Sequence, residues 1–185
     1  MVFGIVGYRF DAELGMGIAM NSVFELFNER LFYNEKTGAF YWRNTKLVSR
    51  SMKGKEAGTI NDDGYRDIGF RIEGKTKHFK AHRLAWLFVN KCFPENHIDH
   101  INGDRLDNRI ENLRIVTIAQ NNQNIREPKK NNKIGVLGVC LDGGRYKAQI
   151  TIQGKNINIG RFDTIEEASN AYMQEKRKHH EFCTI

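Results

Sequence analysis

One stretch of the chain holds most of the side chains that could act on a substrate. It runs His97-Ile-Asp-His-Ile-Asn-Gly-Asp-Arg-Leu-Asp-Asn-Arg-Ile-Glu-Asn-Leu-Arg-Ile-Val-Thr117 and continues Ile-Ala-Gln-Asn-Asn122. Asp99 and His100 are adjacent in it, and amide side chains follow at Asn112, Asn121 and Asn122. A carboxylate and an amide oxygen are hard donors, suited to a divalent cation such as magnesium. A neutral imidazole beside them can take a proton from water. Metal and base together, on a cationic chain, suit hydrolysis of a phosphodiester. An Asp-His pair alone is common by chance, and Asn102-Gly103 is an ordinary turn, so the pair gains weight only from the rest of the stretch.

These side chains need elements to hold them. Ile98-Asp-His-Ile101 predicts a short strand, Asn102-Gly103 a turn, and the residues to Asn112 a polar loop. Leu113-Arg-Ile-Val116 predicts a second strand, with Thr117 as N-cap of a helix that carries Asn121 and Asn122. Neighbouring strand residues face opposite sides, so Asp99 and His100 can share a site only at a strand end or a bulge. Upstream, Leu31–Tyr33 and Ala39–Arg43 flank Glu35-Lys-Thr-Gly38 as a hairpin. Tyr65 to Ile72 reads as a strand with Ile68, Phe70 and Ile72 on one face and Asp67 and Arg71 on the other. Gly74-Lys75 turns the chain and Lys77–Lys80 returns it. Ala81–Val89 has helical spacing, with Leu84, Leu87 and Phe88 on one face and Pro94 as its stop. Ser22 and Glu25 read as a capping box for an amphipathic segment reaching Leu31. His82 reads as a packing or phosphate-contact residue, His97 as a loop residue, and His179 and His180 as solvated positions.

The pieces Asp-His-Ile-Asn-Gly, Asn-Arg-Ile-Glu-Asn-Leu and Arg-Ile-Val-Thr, with Gly64-Tyr65 and His82-Arg83-Leu84 before them, resemble an HNH endonuclease of the phage and intron-borne homing type. The resemblance runs from about Leu31 to Asn122. It implies a ββα-metal core, at about 97–124, around one divalent ion, Mg2+ or Mn2+. By position, His100 takes the family's general-base place and Asp99 a metal-ligand place. Asn112 takes the asparagine that braces the loop, and Asn121 the second metal ligand, an asparagine where others carry histidine. Many members add a cysteine zinc site; Cys92, Cys140 and Cys183 lack that spacing, so no structural zinc is expected.

Past a polar linker at 128–132, a second module is expected over 133–182. Tyr146-Lys-Ala-Gln-Ile-Thr-Ile152 alternates, with Tyr146, Ala148, Ile150 and Ile152 on one face. Gln153-Gly154-Lys155 turns into Asn156-Ile-Asn-Ile159. Thr164 and Glu167 form a capping box for a helix burying Ala168, Ala171 and Tyr172. Gly135-Val-Leu-Gly138-Val, Arg145–Ile150, Ile159-Gly-Arg-Phe162 and Thr164–Tyr172 resemble an Apetala-two/ethylene-response-factor DNA-binding domain. That resemblance implies a three-stranded antiparallel sheet in the major groove, with the helix behind it. Lys147, Gln149, Thr151, Asn156, Asn158 and Arg161 would face DNA, lysine and arginine on phosphates or guanine, amides on adenine. The segment from Lys129 to His180 carries ten Lys and Arg against five Asp and Glu. Arg66, Arg71, Lys75, Lys77 and Lys80 are a second cluster near a hairpin. Arg71 and Lys77 are its DNA-contact candidates.

The composition sets the frame. The 185 residues hold 29 Lys and Arg against 22 Asp and Glu, a net charge of +7, with 11% aromatic and 40% hydrophobic residues. A disordered chain is excluded, and a polyanionic partner is favoured. No apolar run approaches the ~18 residues of a membrane span. Residues 1–19 carry Arg9 against Asp11 and Glu13 and read as a loose arm without a signal peptide, so the nuclease module is set at 20–127. The expectation is an α+β protein, strand-rich at its N-terminal side. It is expected to be a monomer inside a bacterial or phage-infected cell, nicking double-stranded DNA. A catalytically inactive, sequence-specific DNA-binding regulator is the alternative. A structural RNA-binding protein is a third reading, without a visible aromatic stacking motif to support it.

Overall fold

The computed structural model describes residues 20–72, 74–128 and 131–184. The expected arm at 1–19 lies outside the described residues. The chain forms two compact units that part between Thr117 and Ile118. The fold is mixed α+β, with four α-helices and several small antiparallel sheets among the described residues.

The first unit opens with helix α1 (Met20–Asn28). Ser22 is thus inside the helix, and the expected capping box at Ser22 and Glu25 is not its start. The hairpin β1 (Leu31–Asn34) and β2 (Ala39–Trp42) follows, closed by Gly38 at φ +73°. A three-stranded sheet comes next, from β3 (Thr59–Ile60), β4 (Arg66–Ile72) and β5 (Lys75–Lys80), in the order β3-β4-β5. Ile68, Phe70 and Ile72 are buried as the alternation requires. Helix α2 (Ala81–Asn90) buries Leu84 and Leu87 against them. Lys91 ends it, at φ 59°, by donating its backbone N–H to Leu87 O. Pro94 is therefore three residues too late to be the stop. At the core's centre, Phe27 meets Phe70 and Phe79 edge to face at 4.8 and 4.9 Å, the geometry that aromatic quadrupoles favour. The last pair, β6 (His97–His100) and β7 (Leu113–Val116), is pinned to this core by Ile98 and Leu113.

The second unit starts with the short helix α3 (Ile118–Gln123). Strands β8 (Val139–Asp142), β9 (Arg145–Ile152) and β10 (Lys155–Phe162) form a sheet in the order β10-β9-β8. Helix α4 (Ile165–His179) opens with a full capping box: Glu167 N donates to Thr164 Oγ1 at 3.2 Å, and Thr164 N to Glu167 Oε2 at 3.3 Å. Ala148, Ile150, Val139, Ala168 and Tyr172 make the core; Ala171 is half-buried. The polar composition of 128–132 suggested the boundary there, ten residues after the observed one. Hydrogen bonds explain the shift. Gln123 accepts from Phe182 N at 3.2 Å, Thr184 donates to Asn124 at 2.7 Å, and Lys176 reaches Ile125 O. Asn132 is likewise tied to Val136 O at 2.7 Å. His180 is not simply solvated, since its Nε2 contacts Thr151 O at 2.9 Å.

Candidate active site

His100 is the last residue of β6 and is buried, 4% exposed. Register pairs it with Leu113 and pairs Asp99 with Arg114. The strand-end condition for a shared site is thus met: both side chains are buried, and the Asp99 carboxylate is close enough to act on the His100 ring. Asp99 accepts from Arg114 Nε at 2.9 Å and Nη2 at 2.7 Å, both on Oδ2. That ion pair went unread in the sequence, although the antiparallel register of Ile98–Thr117 offered a signal: apolar Ile98 opposite Ile115, then opposite charges at 99 and 114.

The loop between the strands is held by its own side chains. Asn112 Oδ1 accepts from Asn102 N at 2.9 Å, and Asn112 Nδ2 donates to Asp107 O at 2.8 Å, so one amide spans both arms of the loop. Asp107 takes two bonds from Arg109, at 2.8 and 2.7 Å, which hold its carboxyl down to about 2.

His100 Nε2 lies 3.1 Å from Asn108 Oδ1. Asn108 is 2% exposed, and its Nδ2 donates to Leu106 O at 3.2 Å. That bond fixes which way the amide points. An amide oxygen only accepts, so this contact suits the neutral tautomer that carries its proton on Nε2 and leaves Nδ1 basic. Asn108 stands among several loop asparagines, and nothing in its spacing marks it; its partner is brought to it only by the fold.

Two rings complete the surround. His82 meets His100 at 5.2 Å with perpendicular planes, and Tyr65 lies 5.2 Å from His82 and 5.9 Å from His100. His82 therefore has a packing role. Burial, then the neighbouring His100, push its imidazole down to about 3. Burial also lowers His100, opposed by the Asn108 bond and by Asp99, Asp104 and Asp107. Both rings are neutral at neutral pH. Lys80 and Arg105 stand 4.9 and 5.1 Å from the Tyr65 ring centre.

For a divalent ion, the first unit offers the Asp99 carboxylate, and Asn121 lies on α3 in the second unit. Among the described residues no group of three or more His, Cys, Asp or Glu side chains gathers as a metal cluster. The Asp99 carboxylate is an oxygen donor of the kind that suits magnesium, which keeps several waters and takes phosphate oxygens as ligands.

The candidate DNA-facing residues of the second unit share one sheet face. Thr151 pairs with Asn156, Gln149 with Asn158, and Lys147 with Arg161. A bulge at Ile159, between Asn158 and Gly160, makes this possible. Without the extra residue, Arg161 would fall opposite Tyr146 on the apolar face. Arg161 is ion-paired to Asp142 at 2.7 Å and Arg145 to Asp163 at 2.8 Å. The cluster in the first unit divides instead. Lys77 pairs with Phe70 and Lys75 with Ile72, while Arg71 pairs with Thr76 and Lys80 with Asp67. Arg71 and Lys77 therefore lie on opposite faces of the hairpin and do not make one patch.

The chain is similar to several known proteins. A family model described as HNH endonuclease matches residues 79–123. Protein 3.8 of Escherichia phage T7 is 28% identical over 107 residues, covering 56% of this chain and 88% of that protein. An uncharacterized HNH endonuclease of Acanthamoeba polyphaga mimivirus is 39% identical over 131 residues, covering 68% of this chain and 28% of its own length. A solved structure of the HNH homing endonuclease I-HmuI is 32% identical, with a TM-score of 0.37, over 51% of each chain. The chain thus spans most of the phage protein and just over a quarter of the mimivirus one. A segment that matches the HNH endonuclease family model lies in this chain, at residues 79–123.

Proposed function

We propose that the protein is a divalent-metal-dependent endonuclease of the homing type that nicks duplex DNA inside its host cell. The observation that carries the reading is His100: a buried imidazole whose Nε2 faces the Asn108 amide oxygen, set at the end of a strand in a matched HNH segment. Nδ1 takes a proton from a water whose oxygen bonds to phosphorus; the bond from phosphorus to the 3′ oxygen breaks, and that oxygen takes a proton from solvent water, leaving a 5′ phosphate and a 3′ hydroxyl. Asp99 is a proposed metal ligand, and the resemblance to the HNH family gives Asn121 the place of the second. The ion would supply charge neutralisation at the phosphoryl and leaving oxygens. Asn112 keeps the loop closed around His100. The second unit's sheet, resembling the Apetala-two type, is proposed to read the site through Lys147, Gln149, Thr151, Asn156, Asn158 and Arg161.

The test is a supercoiled plasmid carrying a cognate site, with Mg2+ or with EDTA. Nicked circles are expected with Mg2+ only. His100→Ala should still shift DNA in a gel while cleavage falls by roughly 100-fold or more. A wild-type protein that binds but never nicks would instead be the regulator.

A further inference from the structure

We propose that Asn108 is the positioning residue for His100, fixing its tautomer, and that the β1–β2 hairpin holds Asn108 in place. The inference rests on the nuclease reading, but its structural part can be tested separately. Three observations support it, all within the first unit. Asn108 Oδ1 faces His100 Nε2 at 3.1 Å while its Nδ2 is committed to Leu106 O, so the amide cannot turn without losing both bonds. Its backbone is clamped from the other side. The Tyr33 hydroxyl donates to Asn108 O at 2.8 Å, and burial pushes that hydroxyl up to about 12, so it remains a donor. The turn residue Gly38 lies so close that a Cβ there would stand 2.5 Å from Arg109 N and 2.6 Å from Asn108 C. Only glycine lets the hairpin seat against this peptide.

A neutral histidine has two tautomers, and the wrong one presents N–H rather than a lone pair to the water. An acceptor facing one ring nitrogen favours the tautomer that carries its proton there. Asn108 is that acceptor. It touches no substrate and acts only through His100.

The full-length protein is compared with Asn108→Ala and Asn108→Asp. Long-range proton–nitrogen spectra at neutral pH read the tautomer, with His100→Ala identifying the His100 signals. Wild type should carry its ring proton on Nε2; Asn108→Ala should mix tautomers or move the proton to Nδ1. With Mg2+ and plasmid, kcat of Asn108→Ala should fall roughly 10- to 100-fold with KM for DNA unchanged. Asn108→Asp keeps an acceptor and should retain Nε2–H and most of kcat. The proposal is overturned if Asn108→Ala, folded by circular dichroism, keeps Nε2–H, or if it changes KM alone. It is equally overturned if Asn108→Asp, equally folded, is as impaired as Asn108→Ala. A wild-type protein that does not nick, or a His100→Ala protein that nicks normally, fails the nuclease reading instead; the spectra then decide the Asn108 contact by themselves.

Discussion

Two imidazoles stand edge to face in the first unit, and burial keeps both uncharged. His82 is the extreme case: 8% exposed, with its imidazole near 3 against about 6.5 in an unfolded chain. The native state then holds no proton there in a range where the unfolded state binds one. Stability therefore falls as pH drops below about 6.5 and keeps falling toward 3. Between pH 7 and pH 5 this group alone should remove about 2 kcal/mol. Urea melts at those two pH values should show that loss, and His82→Phe should reduce it by about that amount, leaving the part due to His100. A pH-independent wild type would show that the ring is solvated. At this scale the sequence was informative where chemistry makes a residue conspicuous. Asp99, His100 and Asn112 stand out by type and spacing. Asn108, Arg114 and Tyr65 act through contacts across 8 to 35 residues of chain, which no local pattern displays.

Between residues and units, alternation and turns do most of the positioning. β9 follows its sequence pattern closely, because one face must bury Ala148 and Ile150 while the other stays polar. The bulge at Ile159 was not legible, since an extra residue shows itself only against a partner strand. Helix boundaries went the same way. Lys91 can adopt the left-handed conformation that stops α2, and its type did not advertise this. Glycine marks one contact that can be tested. Gly138 sits at φ +72°, and a Cβ there would lie 2.1 Å from the Tyr172 ring. Gly138→Ala must both strain the backbone and push Tyr172 out of the small core, which should cost about 3 kcal/mol. Hydrogen exchange at the β9 amides should accelerate accordingly. Trp42 and Trp86, the chain's two tryptophans, both lie in the first unit, so their fluorescence reports that unit separately. Unchanged protection of β9 would mean that the loop carrying Gly138 shifts at no cost.

The whole molecule carries a net charge of +7, and in the proposed division of labour the charge binds while the first unit cuts. Tethering a cutter to a reader raises the local concentration of each at the other's site. The two roles should then separate in kinetics. Lys147 and Arg161 share the same sheet face and are cross-strand partners, but they are not equivalent. Arg161 is already paired with Asp142, whereas Lys147 pairs across the ladder with Arg161 on one side and Cys140 on the other. A phosphate approaching Arg161 must compete with a carboxylate. Lys147→Ala should weaken DNA binding across all sequences and flatten the dependence of log affinity on log salt by about 0.9, the signature of one lost phosphate contact. Arg161→Ala should change that slope less, because Asp142 is released as the arginine is removed. Cleavage at saturating DNA should be unaffected by either substitution. Binding titrations from about 50 to 200 mM salt, a range over which phosphate contacts alter affinity strongly, measure both slopes. If neither slope changes while affinity for DNA persists, this sheet face is a solvated surface, and recognition belongs to the first unit.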